Sequence, residues 1–290
     1  MGPFNEKTLT PKGLTIDKQF VCQASTLRSS IAANRNIIAA PHNKQEITEF
    51  FKFSEAGANE LRVIVHNMMS SMEKIHATAQ ELENTYNEFG RACDKILDLA
   101  AAAPRDYQEI FDGLDKLYKC RTYHDMQATR DNLMAKLDAR EAHIRETSAS
   151  VKVTKGAIAE RIDRIDLAQK QLQKVCGNLC ADEIRSRLLQ KFCPDMAQMA
   201  LNITAVESLR TWVAELNFTK DIRASVTELQ KIVGGFNDIM WDHSCVRDYV
   251  EIAEIGSVPT SHLQEAIILE TWKDLHEQVS TFKAEMNKHA

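Results

Sequence analysis

Glu73 and His76 stand as Glu-x-x-His, half of the helical motif that holds di-iron or di-manganese centres in bundles. Such a centre needs a second copy and further carboxylates from other helices. No second Glu-x-x-His occurs, so the pair reads as polar surface. In "WDHSC", Asp242, His243 and Cys245 could ligate a metal or activate a thiol, but nothing elsewhere has matching spacing. Cys176 and Cys180, separated by three residues, do not have the spacing of a zinc-ligand pair. A Gly-rich phosphate loop, a nucleophile elbow and a dinucleotide fingerprint are all absent from the sequence. The expectation is a protein without catalysis, metal or cofactor.

The elements that would carry function must then be sought in composition and pattern. The 290 residues include only 10 Gly and 6 Pro, and just Pro104 and Pro194 fall between Pro41 and Pro259. Strand-rich folds need frequent turns, so this sparsity predicts helix. The seven cysteines are scattered and odd in number, which reads as free thiols in a reducing cytosol. No apolar run reaches transmembrane length, and Pro3 and Glu6 do not fit a myristoylation signal at Gly2.

A net charge of −5 argues against nucleic acid as a partner. The charge is uneven, however. Residues 1–45 carry six Lys/Arg against two acids, and residues 151–191 carry nine against five.

Helical periodicity organises most of the chain. Asn43 and Glu46 have the spacing of a capping pair. After them Leu61, Val65, Met68, Met72, Ile75, Ala79, Leu82, Tyr86, Phe89, Cys93, Ile96 and Ala100 alternate steps of four and three. That is a coiled-coil seam, to be filled as a core or by a dimer partner. Pro104 should end this helix. A second should run from Arg105 to about Thr147, and a third from Ala157 to Leu216, kinked at Pro194. Between them, "ETSASVKVTKGAIAER" gathers serines, β-branched residues and Gly156, which together favour a turn.

The predicted fold is all-α: an elongated antiparallel bundle of long, kinked helices with extra C-terminal helices. Its divisions are an arm at 1–45, a three-helix bundle at 46–217 and an extension at 218–290. The extension should break at Gly234–Gly235 and turn again in "GSVPTSH".

On this layout Lys152 and Lys155 sit at an exposed hairpin tip, with Arg161 and Arg164 one to two turns further on. Such a tip could dock on anionic lipid, each cation adding about 1 kcal/mol. In the arm, Ile16, Phe20, Ala24, Leu27 and Ile31 recur at helical spacing beside Lys18 and Arg28. That pattern predicts an amphipathic helix on a membrane surface, with Phe20 and Leu27 inserted.

The stretches "KLDAREAHIRETSASVKVTKG" and "CADEIRSRLLQKFCPDMAQMALNITAVESLRTWVAEL" resemble the second helix, tip and third helix of BAR domains of the sorting-nexin and arfaptin kind. The resemblance implies a homodimer that senses or scaffolds curved anionic membranes, endosomal and active in protein transport. Two other readings stand beside it. One is a soluble coiled-coil adaptor that binds a protein partner through 218–290. The other is a helical-bundle pore-forming toxin, ranked below both because the longest C-terminal apolar run, "AIILETW", is far too short to span a bilayer.

Overall fold

A computed structural model describes residues 7–60, 62–177, 181–193, 195–254 and 264–288. A short antiparallel pair, β1 (Thr15–Ile16) and β2 (Gln19–Phe20), precedes α1 (Ala24–Ile38), α2 (Lys44–Phe51) and α3 (Glu55–Glu60). The long helices α4 (Arg62–Lys119) and α5 (Tyr123–Gly177) follow. Then come α6 (Ala181–Phe192), α7 (Met196–Glu215), α8 (Arg223–Ile252) and α9 (Glu265–Asn287). The chain is all-α, a bundle of long helices, as its periodicity predicts.

The helix boundaries depart from the expected ones. Pro104 lies inside α4, and the turn comes instead at 120–122, before α5. Thr122 caps α5, its hydroxyl oxygen accepting from the Asp125 amide at 3.2 Å. The expected tip at 148–156 does not exist, because α5 runs straight through it. Ile144, Thr147, Val151, Thr154 and Ile158 alternate steps of three and four and are all buried. The threonine hydroxyls donate to the carbonyls one turn back, those of His143 and Ser150. Burial of this small, β-branched seam outweighs the weak helix propensity of its residues. The Gly234–Gly235 break is also absent, since α8 is continuous there. Pro194 and the "GSVPTSH" turn lie outside the described residues.

The chain forms two compact units, each drawn from separate stretches of sequence. Unit 1 takes the described residues within Met1–Arg28, Asn87–Gly156 and Ser225–Ala290. Its ion pairs fix helix direction. On α4 and α5, Lys95 meets Glu146 at 2.9 Å, Asp106 meets Arg140 at 3.1 Å and Glu109 meets Lys136 at 3.2 Å, so the numbers rise on one helix as they fall on the other. Lys155–Gln230 and Asp138–Arg247 set α8 antiparallel to α5 in the same way. Asp94–Lys283 and the Tyr107–Trp272 contact do so for α9 against α4. The result is an antiparallel four-helix core.

Unit 2 takes the described residues within Ser29–Tyr86 and Ala157–Ala224. Here Asn34 of α1 donates to the Ala79 carbonyl at 2.9 Å, and Arg35 pairs with Glu83 at 3.0 Å. Arg164 of α5 donates to Thr78 and Glu81 of α4 at 3.2 and 2.8 Å.

Gly156 offers a direct test of the continuous α5. A Cβ there meets nothing within 4 Å. Gly156→Ala should therefore raise unfolding stability by about 1 kcal/mol, as expected for glycine inside a helix. Chemical denaturation reads this; a hairpin turn at 148–156 would give no gain.

Candidate functional site

Helix α7 differs from every other long helix in the chain. Between Met196 and Val206 its eleven residues, "MAQMALNITAV", contain no charge. One face is core, formed by Asn202, Ala205, Leu209 and Val213. The outer face of this half shows Met196, Ala197, Gln198, Ala200, Leu201 and Thr204 to solvent. Met196 is 68% exposed and Leu201 45%. A surface helix ordinarily pairs an apolar stripe with a charged opposite side. The first half of α7 is apolar or uncharged all round, and charge returns only with Glu207, Arg210 and Glu215.

Local chemistry holds this helix in place. Asp195 caps it, accepting from the Gln198 amide at 3.0 Å. Helix α6 packs against it and buries Ile184, Leu188 and Phe192 while leaving Leu189 exposed. Asn202 is fully buried and accepts from both the amide and the hydroxyl of Ser54, each at 3.1 Å. Helix α2 also packs on α7, with Phe51 edge-on to Trp212 at 5.5 Å and Phe50 largely exposed beside it. Sequence inspection missed this site because it looked for long apolar runs. The available signal was eleven residues without charge directly after "CPD".

The residues first expected to meet lipid lie elsewhere. Lys152 is exposed and Lys155 half-buried on the middle of α5, and Lys155 donates to Gln230 at 2.6 Å. Arg161 and Arg164 both pair with Glu81, in unit 2, and the Arg164 hydrogen bond leads in holding that carboxyl below its ordinary range. Lys18 sits in the turn between β1 and β2, and Arg28 is half-buried on α1. Phe20 and Leu27, expected to insert into a membrane, are 7% and 0% exposed. Both are core residues, because the arm folds as a strand pair and then a helix rather than as one amphipathic helix. Val65, Met68, Met72, Ile75, Leu82 and Phe89 are buried within the chain's own units, so the seam is closed without a second copy. Leu61 lies outside the described residues.

The "WDHSC" residues are structural members of unit 1. Among the described residues no cluster of His, Cys, Asp and Glu could hold a metal ion. Asp242 binds the N-terminal segment. His243 is buried and shares a 2.8 Å hydrogen bond with the Tyr107 hydroxyl. Arg140 lies over the rings of Tyr107 and Trp272, 5.0 and 4.8 Å from their centroids. Burial first, and then the Arg140 charge, bring the His243 imidazole down to about 3.

Neither a known protein family nor a curated protein matches the chain. Solved structures do. XaxA from Xenorhabdus nematophila is 10% identical with a TM-score of 0.47, over 92% of this chain and 98% of that one. The HblL1 toxin component of Bacillus cereus is 9% identical with a TM-score of 0.45, over 98% and 97%. The soluble AhlC of the tripartite alpha-pore forming toxin AHL from Aeromonas hydrophila is 13% identical with a TM-score of 0.22, over 88% and 97%.

These findings overturn the BAR-domain expectation. The segment read as a basic hairpin tip is the middle of α5, and the arm residues read as a membrane wedge, Phe20 and Leu27, are core; none of the solved structures above is named as a BAR domain. Curvature sensing, the adaptor alternative, and the endosomal and transport roles fall with it. No helix among the described residues is long and apolar enough to cross a membrane.

Neutral, buried His243 has a consequence for acid stability. Its folded value of about 3 lies below the ordinary 6.5, so between these pH values the unfolded chain binds the extra proton. Stability should thus fall as pH drops through that window, by at most about 1.4 kcal/mol per pH unit from this group. In His243→Gln that part of the slope should vanish in urea titrations taken at pH 4, 5, 6 and 7.

Proposed function

We propose that this chain is a membrane-active component of a lytic helical-bundle assembly, and that it works by association and rearrangement rather than by catalysis. The observation that carries the reading is the uncharged, solvent-facing first half of α7. Exposed Met and Leu side chains forfeit about 1.5–3 kcal/mol each relative to burial. A partner helix would cover one stripe of α7 and leave charge useful on the other side. A bilayer surrounds what enters it and disfavours charge on every face, which is the pattern seen here.

The geometry also limits the depth. Eleven residues of helix rise about 16 Å, roughly one leaflet of a hydrocarbon core about 30 Å thick. Glu207 and Arg210 then hold the following turn at the water boundary. The first half of α7 is thus suited to enter one leaflet, with the charged α6 left at the surface and spanning left to the assembled complex. Pore formation is named for the AHL system of AhlC; for the present chain the reading rests on α7.

Flotation with neutral phosphatidylcholine vesicles at 150 mM salt tests it, because that lipid removes any charge-driven docking. The wild type should float with the vesicles and release trapped dye. Met196→Asp/Leu201→Asp should keep the same melting temperature, since both sites are exposed, and bind at least about tenfold less. A wild type that stays out of both neutral and anionic vesicles would sink the reading. So would a variant that floats equally well.

A further inference from the structure

The N-terminal segment from Lys7 to Gln23 is neither a free arm nor part of the helical core. It lies across α8 and α9 of unit 1 and buries Leu9, Leu14, Phe20, Val21 and Cys22. Leu9 is the centre of this attachment. It is completely buried and has φ of 66°, the left-handed region that a non-glycine residue enters at an energetic cost. Both of its backbone polar groups are taken by side chains. Its amide donates to Asp242 of α8 at 2.9 Å, and its carbonyl accepts from the Trp272 indole of α9 at 2.9 Å. The same Asp242 carboxylate receives the Lys12 ammonium at 2.6 Å.

Three further features show a segment fitted to this place and held there from outside. Asp17 and Lys18 also have positive φ, so the turn between β1 and β2 is itself left-handed without glycine. Gly13, at φ of 80°, lies against Gly235, and a Cβ on either would come within 2.8 Å of the other's backbone. At the far end the Gln23 amide donates to Glu228 at 2.8 Å, and Phe20 meets Phe282 edge-on at 5.1 Å. Backbone strain of this kind persists only while the surroundings hold it. A segment with little secondary structure of its own, moored by a few side chains, belongs to the parts of a protein that open before the rest.

We propose that residues 7–23 form a latch on unit 1, with Asp242 and Trp272 as the catch at Leu9, and that this latch opens as a separate local step before α8 and α9 come apart. The latch does not depend on the membrane reading of α7, which belongs to unit 2.

Cys22 reports the step from inside the latch, because it belongs to the segment and is buried while the segment stays in place. Cys93 on α4 and Cys176 on α5 are also buried and serve as references in unit 1 and unit 2. The full-length chain would be treated with N-ethylmaleimide in urea below the unfolding transition. Labelling at each cysteine would be followed by peptide mass spectrometry and normalised to its rate in the unfolded chain. Cys22 should react at least about tenfold faster than Cys93 and Cys176. Asp242→Ala should speed Cys22 about tenfold further and leave the two references unchanged. Gly13→Ala opens the latch by steric pressure without touching the catch, and should have the same effect. A common rate for all three cysteines would overturn the proposal, since the segment would then open only with global unfolding. An unchanged Cys22 rate in both variants would overturn it equally.

Discussion

The guanidinium of Arg140 is buried in unit 1, and a charge withdrawn from water must be given partners where it stands. Much of unit 1 can be read as the set of partners it receives. One nitrogen donates to the Leu99 carbonyl at 3.0 Å and to Asp106 at 3.1 Å, which fixes α5 against α4 at one register. The planar cation lies over Tyr107 and Trp272, drawing α9 to the same point. Tyr107 in turn bonds His243 of α8, and the adjacent Arg140 charge helps to keep that imidazole neutral. Four helices thus converge on one side chain. Trp272, pinned there by its ring, turns its indole N–H outward to Leu9, so even the N-terminal segment takes its place from this cation.

Pro104 belongs to the same arrangement. Proline inside a helix removes one backbone donor and crowds the carbonyl four residues earlier, here that of Ala100. Arg140 supplies a hydrogen bond at the neighbouring Leu99 carbonyl, in the turn that the proline loosens. Read locally, Pro104 is a helix terminator, yet α4 continues to Lys119, with Arg140 anchored on the turn before the proline. The true turn was legible in principle. Thr122 and Asp125 have the three-residue spacing of a capping pair, and the structure uses them as one. The seam from Val65 to Ala100 was fully legible, because its steps of three and four persist whatever packs against them.

The misread segments share a physical cause. Between 146 and 161 the serines, the β-branched residues and Gly156 are individually poor helix formers, yet Thr147, Val151, Thr154 and Ile158 face the core in helical register. A propensity difference of a few tenths of a kcal/mol per residue is smaller than the gain from burying such a side chain. In the arm the opposite happened. Ile16, Phe20, Ala24, Leu27 and Ile31 have helical spacing, but left-handed residues at Asp17 and Lys18 turn the chain back before a helix can begin. Ile16 is left exposed while Phe20 and Leu27 enter the core. Charge was equally misleading when counted along the chain. Arg161 and Arg164 contribute to a basic stretch in sequence but meet Glu81 in space.

The α7 surface was passed over for a related reason. Average hydrophobicity over a bilayer-length window dilutes eleven uncharged residues with Glu207, Arg210 and Glu215, so a search for spanning segments rejects the helix. What distinguishes α7 is where its apolar residues point. Asn202, Ala205, Leu209 and Val213 already satisfy the core, which makes the outward Met196 and Leu201 unnecessary for folding. Lysine or glutamate at those two positions would serve a purely structural helix better, adding solubility without loss of packing. Buried Asn202 holds the uncharged half to Ser54 by hydrogen bonds rather than by apolar contact alone. Polar moorings are weakened wherever water and competing donors reach them, whereas an apolar surface gains most on leaving water. A helix fastened by a polar side chain and faced with uncharged residues is stable in water and suited to transfer to lipid, which is why the proposed membrane role falls on α7 rather than on the charged helices of the bundle.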